Sequence, residues 1–175
     1  KRLFLILTSF LIFGVSASLQ AQSANQTYTL ATEDGERLFH LHVPPQADDE
    51  AVPLVIALHP MASSGNAMRA LTGLNEAADE YGFAVAYPQA LSFYWDDGRA
   101  AAGMLADDGE IDDIEFINTM IDTIAEEANI DTERVHLTGL AQGGTMAYRL
   151  ACAMPERFVS VAIIGALMWS YQPDD

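Results

Sequence analysis

Apolar and polar positions along this chain change their period several times, and each change marks an element. Two short alternating segments, TYTLAT (27–32) and RLFHLHV (37–43), read as half-buried strands. The Glu33-Asp34-Gly35-Glu36 stretch between them carries the Asp-Gly pair of a tight hairpin. Pro44-Pro45 ends the second strand. PLVIALH (53–59) is a continuous apolar run bounded by Pro and loop residues, the pattern of a strand covered on both faces of a parallel sheet. Met68, Leu71, Leu74, Ala78 and Tyr81 recur at helical spacing and predict a helix over 66–81 that Gly82 stops. FAVAYP (83–88) is the next buried strand, and 89–110 is a longer irregular stretch.

Asp112 with Glu115 three residues later makes a capping box. The helix it opens is striped by Ile114, Ile117, Ile121 and Ile124 and runs to about residue 129. RVHLTG (134–139) is a strand, Gly143 to Met154 a helix, and Phe158–Ile164 one more apolar strand. Strands alternating with helices mean βαβ units with right-handed crossovers. The expected fold is therefore α/β, a mostly parallel sheet with helices on both faces.

The first residues stand apart. Lys1 and Arg2 precede an apolar run, LFLILTSFLIFGV, and then small and polar residues. A basic start, a short apolar stretch and small residues at a cut site predict a signal peptide over 1–21, cut after Ala21 or Ala17. The run is short for a membrane span, which needs about 20 residues. The expected location is secreted, extracellular or periplasmic, with no stable membrane anchor after cleavage.

Charge narrows the partners. The chain has 25 acidic and 8 basic side chains and a net charge of −17. Without residues 1–21 the net charge is −19, and the remaining basic residues are six Arg and no Lys. Such a surface repels nucleic acid and suits a saline habitat, where salt screens the self-repulsion. One Cys excludes a disulfide framework or a cysteine-based zinc site within these 175 residues. No cofactor is expected.

The chemistry centres on Gly139-Leu140-Ala141-Gln142-Gly143. A strand running through a Gly-flanked turn into a helix is the setting of a nucleophile elbow, G-x-S-x-G, but Ala141 stands where Ser is expected. The four histidines, His40, His42, His59 and His136, all precede the elbow, and the 34 residues after Ala141 contain none. His136 reads as a packing residue of a buried strand. His40 and His42 share a strand face, too few for a closed zinc site. The acidic run Asp107 to Asp113 lacks EF-hand spacing and reads as a capped, solvated helix start; no metal site is expected. Cys152 reads as a small core or helix residue. Ser63 and Ser64 lack flanking elbow glycines.

Taken together, PLVIALHP (53–60), GLNEAADEYGFAVAYP (73–88), Trp95, Gly98, IDDIEFI (111–117) and residues 130–166 resemble the extracellular polyhydroxybutyrate depolymerase and feruloyl/acetylxylan esterase group of α/β-hydrolases. The resemblance implies a partial α/β-hydrolase (esterase) domain over 27–175, with the C-terminal part of the sheet missing. It places Ala141 at the nucleophile and the Gln142 N–H as one oxyanion donor. Trp95, between Tyr94 and Asp96, reads either as lining the mouth of the substrate pocket or as simple packing. Pro60 stands where the group usually has Gly and carries no N–H, so Met61 is left as the second donor. His59 is structural in the group. The triad's Asp and His come from later strands, beyond the chain end. The implied partner is a polymeric or small ester.

Three readings stay open at this stage. The chain is part of a secreted ester hydrolase whose serine has been replaced, a catalytically dead polymer-binding protein of the same fold, or a truncated product.

Overall fold

The computed structural model describes residues 24–99 and 111–168. The predicted signal peptide, and the acidic run up to residue 110, lie outside them. Among the described residues six strands form one sheet in the order β1-β2-β4-β3-β5-β6. These are β1 (Ala24–Thr32), β2 (Gly35–Val43), β3 (Val52–Leu58), β4 (Ala84–Pro88), β5 (Ile130–Leu140) and β6 (Ser160–Ile164). β1 with β2 and β2 with β4 pair antiparallel; β3 with β4, β3 with β5 and β5 with β6 pair parallel. The mostly parallel α/β sheet is as expected.

The hairpin turns at Asp34-Gly35, where Gly35 takes a φ of 123° that a side chain disfavours. β1 begins at Ala24 rather than Thr27, because Ala24 through Gln26 continue the ladder opposite Val43, His42 and Leu41. The single helix expected over 66–81 is two: α1 (Gly65–Thr72) and α2 (Leu74–Tyr81), broken where Gly73 has a φ of 61°. Apolar spacing runs on across the break, so the pattern hid it. Leu71 and Tyr81, read as part of the buried stripe, are exposed, while Met68 and Ala78 are buried. Ser64 caps α1 by accepting from the Ala67 N–H at 3.1 Å. β5 starts four residues earlier than RVHLTG, with a register irregularity between Val52 and Leu54 of its partner strand.

α3 (Asp113–Glu127) and α4 (Gln142–Ala153) cover one face of the sheet. Phe116, Ile117, Met120, Ile121 and Ile124 of α3 and Met146, Ala147 and Leu150 of α4 join Leu54, Ile56, Val135 and Leu137 in the larger core. Each of the Phe, Ile, Leu, Val and Met side chains among these, fully buried, contributes roughly 1.5–3 kcal/mol. Met68 and Ala78 pack on the other face against Ala57, Val85 and Tyr87. Helices thus cover both faces, as the alternation of periods requires. β6 lies at the sheet's end among the described residues, with Val159, Val161 and Ile164 exposed and Leu167 and Met168 following. No helix among the described residues is long and apolar enough to cross a membrane.

Candidate active site

The C-terminal ends of β3 and β5 lie side by side, Leu58 opposite Gly139. At the end of β5 the chain turns within one residue into α4, and that residue is Ala141, with φ 51° and ψ −116°. A residue with a Cβ pays about 1–3 kcal/mol to sit in so sparsely populated a region, and stays there only where its surroundings enforce it. The enforcement is visible. The Ala141 N–H donates to the Ile164 carbonyl at 2.9 Å, and the Ala141 carbonyl accepts from the Gly144 and Thr145 N–H groups.

Two glycines make the turn possible. A Cβ on Gly139 would lie 2.2 Å from the Gly143 carbonyl oxygen, and one on Gly143 would lie 2.3 Å from that of Leu58. Both glycines stand flanking Ala141 as the elbow pattern demands. Gly144 adds a third close approach, to the Ala166 side chain.

Gln142 opens α4. Its backbone N–H is one of the first-turn donors that no carbonyl of its own helix can reach. Among the described residues neither it nor the Met61 N–H meets an acceptor. The Gln142 side chain is buried and clasps Trp95 twice, donating from Nε2 to its carbonyl at 3.1 Å and accepting from its N–H at 3.4 Å. Trp95 in turn donates from Nε1 to the His59 carbonyl at 2.8 Å. The ring is buried against His59 and the core, so in this structure it braces the turn after β3 and does not face solvent.

His59 is held from both sides. Its Nδ1 donates to the Pro60 carbonyl at 2.8 Å, and its Nε2 accepts from the Ala90 N–H at 3.1 Å. Burial holds its pKa below the ordinary imidazole value, opposed by the Pro60 bond. The ring is neutral and its lone pair is in use. The turn beyond it carries exposed Met61 and then Ala62, whose φ is 56° and whose N–H donates to the Phe93 carbonyl at 3.0 Å.

The remaining histidines are elsewhere. His40 bonds Thr27 at 2.9 Å on the hairpin, and buried His42 lies between Asn25 and Asp79. His136 is half-buried rather than buried, its Nδ1 2.8 Å from the Ser160 hydroxyl, because β6 leaves that part of the sheet open. Cys152 is a helix residue of α4, one of its two expected places, and is exposed rather than in the core. Among the described residues no group of three or more His, Cys, Asp and Glu side chains is gathered for a metal.

Asp113 departs from the reading of its acidic run as solvated, while residues 107–110 lie outside the described ones. It is buried, paired to Arg37 of β2, and accepts from the Asp96 N–H at 2.6 Å. Asp112 keeps its expected role, accepting from the Glu115 N–H at 2.9 Å.

A strained Gly-flanked elbow and N–H donors that meet no acceptor among the described residues are the arrangement with which acyl transfer is catalysed, here with Ala at the nucleophile position. Residues 38–171 match the family described as Esterase PHB depolymerase. The chain belongs to that family. Feruloyl esterase B of Thermothelomyces thermophilus is 28% identical to this esterase-family chain over 162 residues, 91% of this chain and 54% of that protein. Poly(3-hydroxyalkanoate) depolymerase C of Paucimonas lemoignei is 30% identical over 168 residues, 91% of this chain and 38% of that protein. A solved acetyl xylan esterase from Aspergillus awamori superposes with a TM-score of 0.68 at 18% identity, over 82% of this chain and 53% of its own. The fold is thus that of α/β-hydrolase esterases. The chain spans about half or less of the length of the curated relatives it matches.

Sequence reasoning found the elbow of this PHB depolymerase-family chain through its glycines. It missed Arg37, Asp113 and the Gln142 side chain. Arg37 and Asp113 are 76 positions apart, and nothing local to either announces the other.

Proposed function

We propose that the elbow is an ester-recognition site of a secreted carboxylic ester hydrolase family member, and that this chain does not hydrolyse what it binds. The observation that carries the reading is Ala141 itself, in the strained elbow backbone between two glycines at positions that admit no Cβ. Attack on an ester carbonyl needs a nucleophilic oxygen or sulfur, and a methyl group has neither. The N–H groups of Gln142 and Met61 are the proposed donors to the ester carbonyl, with Trp95 supporting the wall of the pocket from beneath. The substrate class is a carboxylic ester of the polyester, feruloyl or acetyl type, by analogy with the relatives' names.

Loss of the nucleophile in a comparable serine hydrolase costs about 10⁶ in kcat. Purified protein is therefore expected to turn over a short-chain nitrophenyl ester no faster than buffer. Turnover proportional to protein, with stoichiometric active-site labelling, overturns the reading. The second reading, a polymer-binding protein, is favoured by the same Ala141. It is tested by co-sedimentation with polyhydroxybutyrate granules and with feruloylated or acetylated xylan, and release of bound protein by a soluble ester is the expected result.

A further inference from the structure

Asp96 follows Trp95, and it is gripped from two helices. On one side its N–H donates to Asp113 Oδ2 at 2.6 Å; on the other its carboxylate pairs with Arg149 of α4 at 2.6 Å. Asp113 opens α3 and is wholly buried, as is the Arg37 guanidinium it faces. That guanidinium also pairs with Asp34 in the hairpin turn at 2.8 Å and lies 4.0 Å over the Phe116 ring. Asp34 reaches further, accepting from the Asp112 N–H at 3.2 Å. The hairpin, the start of α3, the Trp95-Asp96 segment and the elbow are thereby joined by one continuous set of polar contacts.

We propose that Asp113, held by Arg37, is the positioning residue of the elbow site: through the Asp96 N–H it fixes Trp95, and through Trp95 the side chain of Gln142. The reason lies in the backbone of Ala141. Its torsions persist only where neighbours over-determine them, and the Gln142–Trp95 clasp restrains the residue directly after it. Both oxyanion-donor candidates hang on Trp95: Gln142 through the clasp, and the turn before Met61 through the indole and the His59 carbonyl. A buried pair between oppositely charged groups adds little net stability compared with apolar residues in its place. What it supplies here is a carboxylate with one oxygen aimed at Arg37 and the other at a main-chain N–H. A carboxylate has a second acceptor oxygen for that purpose; an apolar side chain has none.

The consequence for ligand binding rests on the reading of the elbow as an ester site; the positioning itself does not. The test uses the full chain, its Asp113→Asn variant, and the double variant Arg37→Met with Asp113→Leu, which removes the pair while keeping the interior filled. Amide hydrogen exchange and ¹H–¹⁵N spectra follow the Trp95 indole, the Asp96 N–H and the Gln142 side-chain amide, with Ala57 and Val85 of the central strands as reference. Expected are shifted Trp95 indole and Gln142 side-chain signals, and exchange about tenfold faster at Asp96, with the central strands unchanged. Unmoved Gln142 and Trp95 signals in a folded variant overturn the proposal, as does acceleration spread evenly over the sheet. Should the double variant not fold, Arg37→Lys keeps the charge but not the two-pronged fork and is read in the same way.

A second arm titrates ethyl 3-hydroxybutyrate, a soluble carboxylic ester, while watching the Gln142 backbone N–H. Affinity about tenfold weaker in Asp113→Asn than in the parent supports the proposal, and equal affinity counts against it. If the parent itself shows no response, the ester-site reading falls, and the exchange arm alone decides the positioning role.

Discussion

Gly143 sits against the end of β3 so closely that a Cβ on it would lie 2.3 Å from the carbonyl oxygen of Leu58 and 2.6 Å from that of His59. This contact sets how near the start of α4 comes to the turn carrying Met61. Both obstacles are main-chain atoms, which cannot swing aside as a side chain could.

Gly143→Ala is therefore expected to destabilise strongly, by about 3 kcal/mol or more, as backbone clashes in packed regions do. Gly98→Ala meets nothing within 4 Å and faces only its φ of 90°, so it should cost about 1 kcal/mol. Urea midpoints of the two variants make the comparison. Equal losses would mean that the approach of α4 to β3 is looser than described.

Ala141→Gly should raise stability. Glycine relieves torsional strain of about 1–3 kcal/mol and gives back about 0.5–1 through the freer unfolded chain. The expected gain is about 1 kcal/mol in denaturant unfolding. A loss would show that the elbow backbone of Ala141 is not strained.

The sequence announced the elbow because its constraint is local: glycines two residues before and after the turn are needed wherever the chain bends so sharply. The Asp34-Gly35 hairpin and the Asp112 cap were legible for the same reason, each being decided within four residues. The break at Gly73 was not. Glycine is tolerated within helices, and the apolar spacing of Met68, Leu74 and Ala78 survives a bend. Asp113 looked like one more solvated acid, since only the return of β2 beside α3 brings Arg37 to it. Trp95 stood out as an aromatic in a loop, yet whether its ring faces solvent or the core depends on where the His59 carbonyl lies, and that is a property of the assembled sheet.

Ala141→Ser in this chain should remain inert toward nitrophenyl esters. A serine needs a base within hydrogen-bond reach to take its proton. His59, at the end of the neighbouring strand β3, has Nδ1 donating to Pro60 and Nε2 accepting from Ala90. His40 and His42 sit at the hairpin and His136 bonds Ser160. Parent and variant are compared in one assay, and rates above buffer from the serine form would mean that a histidine earlier in the chain, such as His59 or His136, serves as the base.

Stability should fall as the solution is acidified below neutrality. Burial holds the pKa of the His59 imidazole below its ordinary value in the folded chain, and burial with the nearby Arg69 charge does the same at His40. The unfolded chain takes up protons at the ordinary imidazole value of about 6.5 and the folded chain only lower down, so the unfolded state gains on acidification. That loss sets in as pH falls through 6.5 and is complete below the depressed folded values. Imidazole ¹⁵N shifts followed through the acid titration should place the His59 midpoint below the ordinary value of about 6.5; a midpoint at or above it would contradict the Ala90 bond.

Salt should stabilise the protein. A chain at −17 repels itself, and its arginines are largely spent on local partners: Asp34 and Asp113, Asp97, Asp131, Asp96 and Asp122. Screening relieves the acids left over. Raising KCl from about 0.05 M to about 2 M is expected to lift the melting temperature by about 5 °C or more. A flat or falling curve would refute adaptation to saline surroundings.

The sheet order also dictates a sequence in time. β2 pairs not with β3, its successor in the chain, but with β4, which returns between them, and the Arg37–Asp113 contact closes a loop of 76 residues. Such long closures exact their entropy before any contact repays it, so they come late in folding. The turn at Ala141 fits only between finished strand ends, with Gly143 lodged against Leu58. During refolding, protection of the Val55 and Ala86 amides should therefore precede protection at Asp96, and the elbow should be the last part of the molecule to acquire its shape.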